Sequence, residues 1–386
     1  MLSFDNTEVA FSGKSNSELK WAHRLFQLIG NNKLIVFGKW ATNFALAIRL
    51  PITGIIKKTI FKQFCGGENV EECTTVIKKL DEYGIGTILD YSVEAKANED
   101  ELEACCQELE RGIKLASGAK EIPFVVFKVS GVAALSLLEK YNSQLPENDP
   151  KYDAVYARVD RLCKAAHEAD TPIFIDAEET WIQETIDRIA EEMMVKYNKE
   201  KAIVYNTIQL YRWDRLEALK NFHKIAQEKG YHLGVKLVRG AYMEKEREVA
   251  KEKGYKSPIQ SDKDSTDRDY DLAVAYCAEN KIAQCAGTHN ENSSLLLANY
   301  IEQNQLDKSD YKFYFAQLLG MSDHISFNLA KNGYNVAKYV PYGPVKEVIP
   351  YLIRRAEENT SVAGQTSREL GLISQEMKRR KLQGKV

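Results

Sequence analysis

Charged and hydrogen-bonding side chains recur at the ends of apolar, β-rich runs in this 386-residue chain. Asp90 and Ser92 close the first such run, Lys128 the second, Asp176 and Glu178 the third, and Gln209 the fourth. Lys236 and Arg239 sit on the fifth, Thr288, His289 and Asn290 end the sixth, Gln317 lies on the seventh, and Lys338 and Tyr339 lie on the eighth. Any one of these could be a strand-end residue reaching water. Their recurrence on nearly every run argues for more, because burying charge is costly unless it is paired or used. Together they describe a cationic, hydrogen-bonding site suited to an anionic ligand. The reaction stays open at this point. No Gly-x-Gly-x-x-Gly follows a strand, so a dinucleotide would not be held in the Rossmann manner. No His-Glu-x-x-His or Cys/His cluster offers a metal cage, and no Gly-x-Ser-x-Gly elbow offers a nucleophilic serine.

For these residues to converge, the runs must be parallel strands of one closed sheet. The candidates are Gly86–Tyr91, Phe124–Val129, Ile173–Ala177, Ile203–Leu210, Leu233–Val238, Gln284–Thr288, Lys312–Leu318 and Asn335–Val340. Charged, helix-forming stretches follow, among them Trp181–Lys196, Trp213–Lys229, Ser293–Glu302 and Val345–Asn359, with an extra helix at Tyr152–Ala169. Eight strands in regular alternation with helices predict an α/β fold, a (βα)8 TIM-like barrel, whose site lies at the C-terminal strand ends. The barrel domain is expected over residues 84–386, with an N-terminal helical region over 1–83 packed on it.

That N-terminal region has an unusual composition. From Leu19 to Gly67 there is no acidic residue, while Lys20, Arg24, Lys33, Lys39, Arg49, Lys57, Lys58 and Lys62 lie among aromatic and aliphatic residues. Lys39 and Arg49 interrupt the apolar runs before any reaches the ~20 residues of a membrane span. Two short amphipathic helices on either side of Pro51 are expected, packed on the barrel or touching a membrane surface. A formal charge of −2 argues against a dedicated nucleic-acid binder, whose domain is normally basic. The seven cysteines form no CxxC pair, which points to a reducing compartment. The first residues, Met1 to Asn6, lack a basic stretch leading into an apolar core, so a cytoplasmic location is expected.

The run Lys236-Leu237-Val238-Arg239-Gly240-Ala241-Tyr242 is similar to the fifth-strand motif of proline dehydrogenases. Ile175-Asp176-Ala177-Glu178-Glu179, Gly287-Thr288-His289-Asn290 and Lys338-Tyr339-Val340-Pro341-Tyr342-Gly343 agree in family order, as does Tyr351-Leu352-Ile353-Arg354-Arg355-Ala356-Glu357-Glu358-Asn359. The resemblance runs from Gly84 to the C-terminus and is to the single-function type. It implies FAD across the strand ends, L-proline beside it, oxidation to Δ1-pyrroline-5-carboxylate and a quinone as electron acceptor. Peripheral membrane association and a downstream pyrroline-5-carboxylate dehydrogenase go with that reading. Matching position by position, it implies that Arg354 and Arg355 clamp the proline carboxylate. Lys128 and Asp176 shape the charged pocket, Tyr339 packs on the substrate ring, and Leu319 gives an apolar wall. Gln209, Lys236, Val238, Gly240, Ala241, Ser261, Lys263, Thr288, His289 and Glu358 match cofactor-binding positions. Lys236 stands where many members have Arg, which keeps the charge but loses the planar fork. Met243 replaces a Trp of some members. A hydroxyproline dehydrogenase and a ligand-binding barrel without catalysis are the alternatives.

Overall fold

Each β-rich run forms a parallel strand, and the strands join in sequence order into a closed barrel. They are β1 (Gly86–Tyr91), β2 (Phe124–Lys128), β3 (Ile173–Asp176), β4 (Val204–Gln209), β5 (Gly234–Val238), β6 (Ala283–Gly287), β7 (Phe313–Leu318) and β8 (Val336–Tyr342). The computed structural model describes residues 2–30, 34, 38–42, 48, 50, 52–93, 96, 98–361 and 365–384, without the side chains of 357–361 and 365–366. The fold is the (βα)8 barrel that the alternation predicts. Its strands depart from expectation mainly at their ends. β2 stops at Lys128 because a short helix, Val129–Val132, begins directly after it. β8 runs through Pro341, despite the missing N–H, because the pairing Asp90↔Pro341 and Tyr91↔Tyr342 closes the barrel. The Pro341 carbonyl then accepts the Gly66 N–H at 2.8 Å.

Alternation of side chains across each strand puts one set inside the barrel. At the N-terminal end that set is an aromatic plug. Phe124 stacks on Phe174 at 4.4 Å between centroids, with the edges of Tyr205 and Tyr314 at 5.6 and 4.8 Å from Phe124. Rings of this size fill the barrel and force ligands to the other end. On the β6–β8 side Ala283, Cys285, Ala316 and Ala337 are small, interspersed with the inward rings of Tyr314 and Tyr339. The barrel mouth is therefore lined by long polar side chains and the Tyr339 ring, with small residues beneath them on the β6–β8 side.

The outer layer is helical. Helix Asn16–Ile29 starts with a capping box between Ser15 and Glu18. It buries Leu19, Ala22, Leu25, Phe26 and Ile29 in one cluster with Tyr351, Leu352, Leu372 and Ile373 of the C-terminal helices Val345–Ser361 and Gln365–Leu382. After Pro51 the chain is helical from Thr53 to Phe64, with a π-helical turn at Lys57–Phe61. Much of the stretch before Pro51 lies outside the described residues. The two chain ends thus meet over the helix that carries Arg354 and Arg355.

Candidate active site

The centre of the mouth is Asp176, the last residue of β3. Its carboxylate accepts the Lys128 ammonium at 2.9 Å from β2 and the Tyr339 hydroxyl at 2.7 Å from β8, and it also pairs with Lys236 of β5. Lys128 lies 4.0 Å from Asp90 of β1, whose other oxygen accepts the Ser92 hydroxyl. Five strands thus feed one cluster. Lys236 lies over two aromatic faces, 4.9 Å from the Tyr339 centroid and 5.3 Å from that of Phe174, which adds cation–π attraction to its ion pair. Burial alone would raise the Asp176 carboxyl, but the two ammonium groups and the two hydrogen bonds hold it well below the usual carboxylate range. Burial and the neighbouring carboxylate raise the Tyr339 phenol well above its ordinary value, so it stays a donor to Asp176.

A second set stands at the ends of β5 and β6. Arg239 donates to Asp267 at 2.6 Å, to the Thr288 hydroxyl at 2.6 Å and to Ser293 at 2.9 Å, with its guanidinium 4.3 Å above the Tyr270 ring. Lys263 pairs with the same Asp267, so Arg239 and Lys263 share one counter-ion at the start of helix Lys263–Glu279. Ser261 is exposed beside them and donates to Asp262. Val238 accepts the Leu210 N–H through its carbonyl. Gly240 then takes φ +133°, and a side chain there would meet the Tyr211 ring at 2.6 Å, so only glycine lets the chain pass over Tyr211. Ala241 follows, exposed at the rim. Gln209 donates to the Glu178 carbonyl and ties β4 to the β3 loop. The His289 ring bonds Ser322 through Nδ1 at 2.9 Å. Burial, then the nearby charges of Lys338, Arg355 and Arg239, push His289 down to about 3, so it is neutral at ordinary pH.

The helix Val345–Ser361 crosses this rim. Arg354 places its guanidinium 5.6 Å from the Tyr242 ring, just after β5, while Arg355 is buried and lies near enough to His289 to lower its basicity. Leu319 is half-buried after β7, and its N–H donates to the Tyr339 carbonyl. The side chain of Glu358 lies outside the described residues.

The profile of the proline dehydrogenase family matches residues 73–368. A mitochondrial proline dehydrogenase 1 of Dictyostelium discoideum is 31% identical over 426 residues, an alignment covering 97% of this chain and 74% of the relative. The chain belongs to the proline dehydrogenase family. The human mitochondrial proline dehydrogenase 1 is 40% identical over 239 residues, which are 61% of this chain and 40% of that protein. Among solved structures, proline utilization A from Bdellovibrio bacteriovorus inactivated by N-propargylglycine superposes with a TM-score of 0.71 at 20% identity. That match covers 92% of this chain and 38% of the other, and it speaks for the fold.

Within the proline dehydrogenase framework, the residues expected at the site fall into three groups. Lys128, Asp176, Lys236 and Tyr339 touch one another, while Arg354 and Arg355 reach the rim from outside the barrel. Lys263 stands further out, sharing Asp267 with Arg239 rather than meeting Asp176, and Ser261 bonds only its neighbour Asp262 among the described residues. One member of the polar strand-end set is turned away. Lys338 points out of the barrel, pairs with Asp323 at 2.9 Å and donates to the Met321 carbonyl at 2.5 Å. The reason is alternation: Tyr339 faces inward, so its neighbour cannot. Sequence reasoning overlooked Ser322, Glu369 and Asp323, which hold the loop after β7 from behind. The only available signal was the polar Ser322-Asp323-His324 run following Gly320 and Met321.

Proposed function

We propose that this enzyme oxidises L-proline to Δ1-pyrroline-5-carboxylate with FAD bound across the strand ends. The observation that carries the reading is the delivery of a buried arginine, Arg355, to the rim next to His289, over a mouth already lined by Lys128 and Lys236. A small carboxylate needs such a clamp, and a planar guanidinium fork supplies it bidentately. The residues present also fit FAD. Arg239 and Lys263 offer charge for the pyrophosphate, Gln209, Thr288 and His289 offer hydrogen bonds, and Val238, Gly240 and Ala241 bring no long side chain to the rim. The small residues Cys285, Ala316 and Ala337 add little bulk beneath the ends of β6 to β8. Bound FAD would accept the hydride from proline C5 and pass its electrons to a quinone.

The chain's own residues do the rest. Arg354 and Arg355 hold the carboxylate, and the ring of Tyr339 and Leu319 hold the carbon ring so that C5 faces the cofactor. Asp176 stays ionised and keeps Lys128 and Lys236 in place. The Tyr339 proton is committed to Asp176, so neither group is a free base. Glu178 accepts the Ser130 N–H at 3.0 Å and its hydroxyl, which fixes the β2 loop behind Lys128. Adding proline to the purified protein without oxygen tests the reading directly. Flavin absorbance should be present and should bleach. Protein that takes up no flavin would refute the cofactor, and bound flavin left unbleached by proline would refute the substrate.

A further inference from the structure

Ser322 is fully buried, with its backbone in the left-handed region at φ +50°. Its N–H donates to Glu369 of the C-terminal helix at 3.0 Å, and its carbonyl accepts from the next turn, at Ile325 and Ser326. Its hydroxyl has one partner among the described residues, Nδ1 of His289 at 2.9 Å. A hydroxyl carries a single proton, and in a site closed to water that proton needs an acceptor. Were His289 protonated at Nδ1, the imidazole would donate to Ser322 and the serine proton would have nowhere to go. The reverse arrangement satisfies both groups. Burial and the surrounding positive charge disfavour the doubly protonated ring.

We infer that Ser322 is a positioning residue that holds His289 in its Nε2–H tautomer, presenting a fixed neutral N–H donor to an acceptor atom of the bound cofactor. Nδ1 is occupied from behind, so Nε2 is the only ring nitrogen left for a ligand. Glu369 acts one step further back, by fixing the Ser322 backbone. The cofactor part of this inference rests on the FAD reading above; the tautomer does not.

The chain has six histidines, so selective 15N-histidine labelling of the full-length protein gives a readable spectrum, with His289→Asn identifying the signals. The wild-type ring should show a bare Nδ1 and a protonated Nε2. In Ser322→Ala and in Ser322→Gly both nitrogens should move toward the averaged positions of exchanging tautomers, and FAD dissociation should rise about tenfold, the scale of one hydrogen bond. Glycine suits a left-handed backbone, so the second variant removes the hydroxyl without adding strain. A wild-type ring protonated at Nδ1 overturns the inference, as do ring signals unchanged in both variants or altered signals with unaltered FAD retention. If the wild-type binds no FAD, the cofactor reading fails, and the wild-type tautomer still decides the role of Ser322.

Discussion

Replacing Asp176 by Asn would leave the ammonium groups of Lys128 and Lys236 buried without their shared counter-ion. Breaking a buried pair in this way costs about 3–5 kcal/mol, so Asp176→Asn should lose stability on that scale in urea unfolding and lose proline turnover. Its pH signature has a definite sign. The folded-state carboxyl is held below its unfolded value of about 3.9, so its contribution is complete above that value and is lost as pH falls through the folded one. The stability gap between wild type and variant should therefore be flat from neutral pH down to about 5 and shrink below about 4. Arg355→Met tests the proposed clamp. It should keep FAD and raise the proline KM steeply, by roughly 2–4 kcal/mol of lost binding if Arg354 remains; unchanged kinetics in a flavin-loaded variant would remove Arg355 from the site. Tyr339 presses a full aromatic ring into the mouth and spends its hydroxyl on Asp176. Tyr339→Ser should lower kcat/KM for proline and shift the proline-to-hydroxyproline ratio about ten- to a hundredfold. Equal loss of both activities would count against a specificity role.

At the level of elements, the strands were readable because β-branched and aromatic residues cluster in them, and alternation then dictates which side chains point inward. Asp176, Lys236 and Tyr339 follow from that rule directly. Lys338 shows its limit: a lysine beside an inward tyrosine must face the helices, and only the position of Asp323 reveals what receives it. The sequence also gave no reason to expect β8 to pass through Pro341, because the closing partner lies some 250 residues away on β1, at Asp90. In the sequence Gly240 stands only as a cofactor-binding position, and the local reason for a glycine there was not visible. Tyr211, from the loop after β4, occupies the space a side chain would need. Gly240→Ala combines a rarely tolerated φ with that clash, so it should destabilise the fold by about 2–4 kcal/mol. Ala at the neighbouring exposed position 241 is already present, which shows that the restriction is local to one residue. Denaturant unfolding of Gly240→Ala, with FAD content measured alongside, checks this; a variant as stable as the wild type would mean that Tyr211 moves freely.

Taken whole, the molecule distributes its exposed apolar residues unevenly. Trp21, Leu28, Trp40, Ile48, Leu50 and Ile55 are all exposed, Trp40 at 61% and Ile55 at 67%, and they fall within the acid-free stretch from Leu19 to Gly67. Large apolar side chains gathered among lysines and arginines mark a surface made to meet something, and an anionic lipid surface meets both properties at once. Among the described residues, no helix is long and apolar enough to cross a membrane, so the contact proposed is one of lying against it. The proposed quinone acceptor would give a reason for such a contact, since a quinone dissolves in lipid while proline arrives from water. Each basic residue near an anionic surface contributes about 1 kcal/mol at low salt and less as screening increases, whereas burial of a tryptophan or isoleucine contributes about 1.5–3 kcal/mol with little salt dependence. Co-sedimentation with anionic vesicles should therefore be strong at low salt, weaker but measurable at high salt, and feeble with neutral vesicles. Trp40→Ala combined with Ile55→Ala should remove the salt-resistant part of vesicle binding. Absence of vesicle binding at low salt, together with full activity toward a membrane quinone, would show that this surface has another partner.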